Sequence, residues 1–252
     1  MDTRSARLAA AVASAAAAAL FAAPIGLLLA ASSLDGYRAA FAAVPLARSL
    51  FNSAWISTLA APASLALASM AAFGLTQIAA VPRRRMLLVL LLCASIPLTA
   101  VLVPRFVLFD AIGAVGTPLP LFAPVLVGGS PLYCLLLFAA LRRLPQAQID
   151  AARIEGLGWL AIWWRIAVPQ TRPTHAAVFM LSLMAFWSAF LEPLLYLHRE
   201  HELTAPLMLH AISLLGSTQW PMLMAAACAI TLPVVLSVAV LTSFLHHPFR
   251  TR

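Results

Sequence analysis

Residues 150–156 read DAARIEG and residues 166–169 read IAVP, within a polar segment that separates two long apolar runs. The first stretch is acidic, rich in alanine and closed by a glycine. Long apolar helices have no packing need for such a segment on a membrane surface. We therefore expect the loop over residues 145–170 to bind a partner in the aqueous phase.

The spacing within this segment predicts two short helices. Pro145 suits the first turn of a helix, and Gly156 suits the position just after the last turn. The first helix is expected over residues 146–155, with its alanines and isoleucine at helical spacing on one face (Ala147, Ala151 and Ile154). The second is expected over residues 158–168 and should stop before Pro169.

The composition places the whole chain in a membrane. Its 252 residues are 63% hydrophobic and only 10% charged, whereas a soluble domain carries roughly a quarter charged residues. The net charge of +8 comes entirely from arginines clustered between apolar runs. This pattern is typical of membrane topology signals and argues against nucleic-acid binding. We predict one all-α integral membrane domain over residues 1–252.

A spanning helix needs about 20 mostly apolar residues, and six stretches qualify. They are residues 8–31, 54–80, 86–103, 119–141, 174–197 and 221–245. The arginine clusters place both termini, and the loop between spans four and five, in the cytoplasm. The first run is longer than the apolar region of a secretory signal, which favours a retained span over a cleaved one.

The third and fourth spans carry helix-breaking residues. We expect Pro104 and Arg105 to close the third span. The fourth is expected to be broken, with Ser130 as the cap of a fresh helix that starts at Pro131. A broken helix at membrane depth must hide its free backbone groups in protein or a wet cavity. The break is therefore either a lining of a translocation pathway or a packing kink.

The pattern D-A-A-x-I-E-G-x9-I-x-V-P resembles the EAA loop of bacterial ABC-importer permeases, which reads roughly E-A-A-x-x-D-G and then I-x-L-P. Four further stretches resemble the carbohydrate, maltose-transporter-like branch of that family. They are FNS at 51–53, AAFGL at 71–75, WSAFLEPL at 187–194, with Ser188 where the branch has Asn, and W-x2-LMAA at 220–226, at the entry to the last helix.

The resemblance implies a pore made by two permeases, each gripped through its loop by a cytoplasmic ATPase subunit that binds the ATP. A periplasmic or lipid-anchored solute-binding protein would deliver the solute, and the second permease would be a different chain. The location implied is the bacterial cytoplasmic (inner) membrane. The coupling residues carried over are Asp150, Ala151, Ala152, Glu155, Gly156, Ile166 and Pro169.

The roles of these coupling residues follow from their chemistry. The two alanines would permit close approach of a partner, and the two acids would pair with basic groups across the interface. On this interpretation Gly156→Asp or Ala152→Arg should abolish coupled transport without preventing membrane insertion.

Polar and aromatic residues near or within the spans are candidates for the translocation pathway. They are Asn52, Gly129, Ser130, Tyr133, Trp187, Ser188 and Glu192. Packing and hydrogen bonding between helices are the competing roles for most of them. For Glu192 the alternatives are a pore-facing position, a pair with an arginine of the sister subunit, or a place in water at the headgroup level.

The sequence carries no catalytic signature. It has no phosphate-binding glycine loop, no G-x-S-x-G and no catalytic dyad, so ATP chemistry must lie on another chain. The cysteines are far apart, and His198 and His201 fit an external polar loop better than a metal site. We thus predict a non-enzymatic transporter without bound cofactor or metal. The alternative function is an energy-independent channel or secondary carrier for a small polar solute.

Overall fold

The computed structural model describes residues 23, 26, 27, 29–126, 129–216 and 220–246. Every regular element in these residues is helical, which confirms the all-α class. The predicted first span, 8–31, lies almost entirely outside the described residues, and its few described positions are helical.

Thirteen α-helices are numbered here in chain order within the described ranges. They are α1 Leu34–Ala43, α2 Leu46–Gln77, α3 Ala80–Ser95, α4 Leu98–Ala111, α5 Ala123–Leu126, α6 Pro131–Leu141, α7 Gln146–Ile154, α8 Trp159–Ile162, α9 Val168–Gln170, α10 Arg172–Trp187, α11 Leu191–Tyr196, α12 Ala205–Ser213 and α13 Trp220–His246. Short 3-10 turns lie at Leu119–Phe122 and Glu200–Glu202, and a π-helical turn lies at Trp163–Ala167.

Three described segments are long and apolar enough to cross a membrane: α2, the α10–α11 pair over Arg172–Tyr196, and α13. The α3–α4 pair adds a fourth if it is counted as one broken span. The described residues therefore support a multi-pass protein with three or four apolar spans, and the number six stays a prediction.

The α2 helix lies at the centre of the bundle. It is 32 residues long and contacts α6, α10 and α12. Its buried residues are mostly serine and alanine. Small side chains of this kind allow helix backbones in a membrane to approach closely. One buried hydroxyl on this face is satisfied within the helix, since Ser57 Oγ donates to the Ser53 carbonyl at 2.6 Å.

The third predicted span differs from its expected form. Pro104 does not end it but lies inside α4, and the break falls instead before Pro97, where α3 and α4 are bent by 89°. The residue before a proline is pushed out of the helical region, and Ile96 has an extended ψ of 120°. The bend therefore follows from the Ile96–Pro97 step, which the sequence prediction did not weigh.

The break in the fourth span is confirmed. A 3-10 turn and α5 precede it, and α6 starts at Pro131 with Ser130 at the cap position. The Ser130 side chain makes no capping hydrogen bond, so only its position agrees with the prediction. At the break, Gly129 has a φ of 79° and its N–H donates to the Pro124 carbonyl at 2.8 Å.

Gly129 also lies tightly against α2. A Cβ added there would come within 3.2 Å of the Ser64 carbonyl oxygen. We expect Gly129→Ala to lower the unfolding temperature of the purified protein more than Gly113→Ala. Both positions have a positive φ, but a Cβ at Gly113 would meet open space. The left-handed backbone costs both variants about 1–2 kcal/mol, so equal shifts in a thermal melt would show that the close approach is unimportant.

Candidate functional site

The loop between α6 and α10 begins with α7, and Gly156 ends that helix as predicted. Gly156 has a φ of 83°, and its N–H donates to the Arg153 carbonyl at 3.0 Å. The Leu157 N–H donates to the Ala152 carbonyl, also at 3.0 Å. These two bonds form a Schellman motif, which requires the left-handed conformation that glycine adopts without steric cost.

The two faces of α7 have different environments. Ile149 and Ala152 are 2% and 5% exposed and pack with Leu141 and other core residues of the chain itself. The opposite face carries Ala147, Ala151 and Ile154, all exposed, and Ile154 is 88% exposed. The expectation that both alanines of the motif face a partner is therefore wrong for Ala152. An arginine at that position would disrupt the chain's own core.

One hydrogen bond joins α7 to the end of α2. The Arg153 guanidinium donates to Gln77 Oε1 at 2.7 Å. Asp150 accepts a bond from Gln146 at 3.1 Å and lies 3.8 Å from Arg153. Glu155 is exposed and has no ion pair among the described residues. Two carboxylates, Asp150 and Glu155, thus remain accessible to solvent beside the exposed apolar face.

The second half of the loop differs from the predicted single helix. It starts at Trp159, passes through the π-helical turn and continues beyond Pro169 to Gln170. A proline inside an α-helix clashes with the carbonyl four residues earlier, and the wider π turn relieves that clash. Ile166 and Pro169 are partly buried, with Ile166 packed against the core, so they anchor the loop.

A buried polar chain connects this half of the loop to two spans. Trp163 Nε1 donates to Ser69 Oγ at 2.9 Å, and Ser69 Oγ lies 2.7 Å from His175 Nε2. His175 Nδ1 lies 3.1 Å from the Thr171 carbonyl. Every group is satisfied if the Ser69 hydroxyl donates to Nε2 of His175 and the Nδ1–H of His175 donates to the Thr171 carbonyl. The chain runs from the π turn through α2 to α10.

Sequence reasoning did not single out Ser69, Thr171 or His175. A histidine four residues after a threonine, at the start of an apolar run, was the available local signal. Its partner on α2 is 106 residues away in sequence, so no local pattern reveals the pair.

Two of the predicted pathway residues bind other segments of the same chain. The first is Asn52. The Asn52 amide donates to the carbonyls of His201 and Leu203 at 2.9 and 3.0 Å. The neighbouring Ser53 hydroxyl accepts the Ala205 N–H at 2.8 Å. Together they fix the start of α12 against α2, beside a cavity of about 330 Å³ that Asn52 lines.

Glu192 is the second such residue, and the structure contradicts two of its expected settings: a pair with an arginine of the sister subunit and a place in water at the headgroup level. It is buried and forms an ion pair with Arg105 of the same chain at 2.7 Å. Arg105 also donates to the Pro120 carbonyl at 3.2 Å. The pair joins α4, α11 and the 3-10 turn at Leu119–Phe122, so Glu192 stabilises contacts within one subunit.

The other pathway candidates do not converge. Trp187 lines an apolar cavity of about 230 Å³ between α2, α10 and α13. Ser188 is exposed and donates to the Met184 carbonyl of its own helix at 2.7 Å. Tyr133 is partly buried and packs against the core on α6, while Gly129 and Ser130 lie at the break. In the described part of one chain these residues do not line one continuous pore.

Among the residues described, no group of three or more His, Cys, Asp or Glu side chains is placed to hold a metal ion. The arrangement instead consists of apolar spans with an amphipathic helical segment fastened to their ends. That architecture is that of a multi-pass membrane protein. Residues 64–247 match the family described as binding-protein-dependent transport system inner membrane component, and the chain belongs to this family.

Curated relatives are transport permeases. The lactose transport system permease protein LacG of Rhizobium radiobacter is 27% identical over 203 residues, covering 80% of this chain and 73% of LacG. The sulfoquinovosyl glycerol transport system permease protein SmoH of Agrobacterium fabrum is 26% identical over 213 residues, covering 83% and 74%. These relatives confirm the resemblance to sugar-transport permeases.

The fold is also similar to a solved structure. A chain of a bacterial ABC transporter involved in the import of the acidic polysaccharide alginate superposes with a TM-score of 0.79. It covers 97% of this chain and 99% of that chain, at 17% sequence identity. A second structure, of a bacterial alginate ABC transporter with an alginate-pentasaccharide-bound periplasmic protein, gives a TM-score of 0.75 at 16% identity, covering 98% and 96%.

Proposed function

We propose that this chain is a pore-forming transmembrane subunit of an ATP-binding-cassette importer for a sugar or a similar polar solute. Its membership of the binding-protein-dependent permease family carries the proposal. The matched residues include the whole loop over 145–170. The names of the relatives favour a carbohydrate as the solute class.

The same membership weighs against an energy-independent channel or secondary carrier. A channel or carrier of that kind does not need a binding protein to deliver its solute. It also does not need an amphipathic helix with an exposed isoleucine between two solvent-exposed carboxylates. An importer needs both features, because a binding protein delivers its solute and an ATPase subunit must dock onto the loop.

The proposed contact surface on α7 consists of Ala151, Ile154, Asp150 and Glu155. Ile154 supplies an apolar anchor and Ala151 permits close approach. The two acids are exposed to solvent and could pair with basic groups of an ATPase subunit, Glu155 without giving up a partner among the described residues and Asp150 in exchange for Gln146 or Arg153. ATP would be bound and hydrolysed on that subunit, and this chain would bind no cofactor.

Two sets of contacts would transmit a displacement of α7 to the membrane helices. Ile149 and Ala152 pack α7 onto the core beside α6, and Arg153 holds it to Gln77 at the end of α2. The Trp163–Ser69–His175 chain connects the π turn to α2 and α10. Because packed interiors transmit displacement, a push on α7 would shift the spans that carry the solute.

The assembly we propose follows the family architecture. A second permease, a different chain, would complete the pore, and a periplasmic or lipid-anchored solute-binding protein would deliver the solute. Six spans with both termini and the loop in the cytoplasm agree with the distribution of arginines. The location would be the bacterial cytoplasmic membrane.

Uptake into proteoliposomes separates the importer from the alternative. The chain is reconstituted with its partner permease, ATPase and binding protein, and a panel of radiolabelled mono- and oligosaccharides is offered. We expect accumulation of one sugar class only with ATP inside the vesicles and binding protein on the opposite side. Equilibration of sugar without ATP or binding protein would instead establish a passive channel.

The turn after α7 provides a prediction of its own. We expect Gly156→Val to reduce ATP-dependent uptake at least tenfold, because a β-branched residue is disfavoured at the φ of 83°. The strain would unwind the Schellman turn and misplace α7. Gly158→Ala is the control, since Gly158 has a φ of −71° and its added Cβ would meet open space. Normal uptake by Gly156→Val at equal protein level would mean that the turn does not position α7.

A further inference from the structure

A cavity of about 360 Å³ lies where the C-terminal ends of α2 and α6 meet the starts of α3 and α7. Its polar lining comes from Arg83, Arg142, Thr76 and Gln146. The two arginines belong to different segments of the chain, yet both border the same space. No acidic side chain is among the described residues that line it.

Both guanidinium groups lack a protein partner within the described ranges. Neither Arg83 nor Arg142 has an ion pair or a side-chain hydrogen bond there, whereas Arg105 and Arg153 both do. Asp150, the acidic residue of α7, already accepts a hydrogen bond from Gln146 and forms an ion pair with Arg153. Arg83 is partly buried, so its charge is held near the cavity without a counterion.

The helix beside this cavity has the properties of a lipid-facing element. No residue of α3 is buried. Leu88, Leu91 and Leu92 of α3 are each more than half exposed, and Leu87 lines the cavity itself. An apolar helix surface therefore adjoins a cationic recess. An acyl chain would cover the first and a phosphate group would occupy the second.

We propose that this recess, the Arg83–Arg142 pocket, binds the phosphate group of an anionic phospholipid whose acyl chains lie along α3. Guanidinium groups bind phosphate oxygens through paired, charge-assisted hydrogen bonds. Basic pockets between membrane helices are suited to anionic headgroups. The bound lipid would join α3 to α6 next to α7. This inference needs the chain to be embedded in a membrane and does not depend on ATPase docking.

Lipid retention by the purified protein tests the pocket. The full-length chain, with any subunits that co-purify, is reconstituted in vesicles of phosphatidylglycerol and phosphatidylcholine, extracted in mild detergent and examined by native mass spectrometry. We expect phosphatidylglycerol to be retained preferentially. Arg83→Gln and Arg142→Gln should each reduce that retention about tenfold, as expected for loss of a charged hydrogen bond.

Matched controls come from the neighbouring arginines. Arg84 and Arg143 do not line the pocket, whereas Arg142, although also exposed, does. Arg84→Gln and Arg143→Gln should therefore leave retention within about twofold of the unmodified protein, because an exposed charge outside the pocket contributes little. Arg83→Lys keeps the charge and checks that a loss in Arg83→Gln does not come from misfolding.

Three outcomes would overturn the assignment. Equal losses from Arg83→Gln and Arg84→Gln would indicate unspecific attraction to the arginine cluster. Displacement of the lipid by millimolar inorganic phosphate would identify a site for the free anion. Retention only after an ATPase subunit has dissociated would show that the arginines contact protein instead.

Discussion

Replacing Ile154 with aspartate should leave the chain folded in the membrane and remove its ability to retain an ATPase subunit. Ile154 is 88% exposed, so its own chain loses almost no packing when it is replaced. A central apolar anchor of an interface contributes about 2 kcal/mol or more, and losing it weakens binding roughly 30-fold. The new carboxylate would also stand near Asp150 and Glu155 and repel them.

The measurement is the amount of ATPase subunit recovered with the tagged permease, normalised to the permease level in the membrane. Ile154→Leu is the matched control, because it keeps an apolar side chain of equal size and should retain the subunit. If Ile154→Asp retained the ATPase as well as Ile154→Leu does, the exposed face of α7 would not be the docking surface.

The second large effect is expected at the buried ion pair. Glu192→Leu leaves the largely buried Arg105 guanidinium, whose side chain is 18% exposed, without a counter-charge, and its Nε already has no hydrogen-bond partner among the described residues. Removing one partner of a buried pair costs about 3–5 kcal/mol. We expect a sharp fall in the unfolding temperature in detergent and in the amount of protein in the membrane.

A double replacement distinguishes this structural role from a transport role. Arg105→Met combined with Glu192→Leu removes both charges and should recover much of the lost stability. Arg199→Gln is the control for a surface pair. Arg199 lies 3.5 Å from Glu202 and is 70% exposed, so the change should cost less than about 1 kcal/mol. Full stability of Glu192→Leu together with lost uptake would return Glu192 to the translocation pathway.

Local sequence signals predicted the local features of the fold well. Gly156 marks the end of α7 because the chain must enter the left-handed region there, and only the local turn decides this. The Ser130–Pro131 step likewise marks the restart of a helix. The Ile96–Pro97 step carried the same kind of signal, and the error was to choose Pro104 as the breaker. A proline inside a long apolar helix is tolerated when neighbours support the freed carbonyl.

Tertiary contacts explain what local reasoning missed. The helix α7 has apolar residues on both faces, with Ile149 and Ala152 on one and Ala151 and Ile154 on the other. Periodicity alone does not say which face meets the core. The partner of Glu192 is 87 residues away, and the α2 partner of His175 is more distant still. An acid in a span predicts a partner, but the sequence does not say whether that partner lies in the same chain.

Site-specific crosslinking from position 154 tests the central claim most directly. A photoreactive residue at 154 in the assembled transporter should capture an ATPase subunit in intact cells. The same residue at position 92, on the exposed apolar face of α3, should capture only lipid or a membrane neighbour. An ATPase adduct at 154 alone is the result we predict. Labelling of position 154 by an impermeant reagent from outside the cell, with no ATPase adduct, would contradict the account.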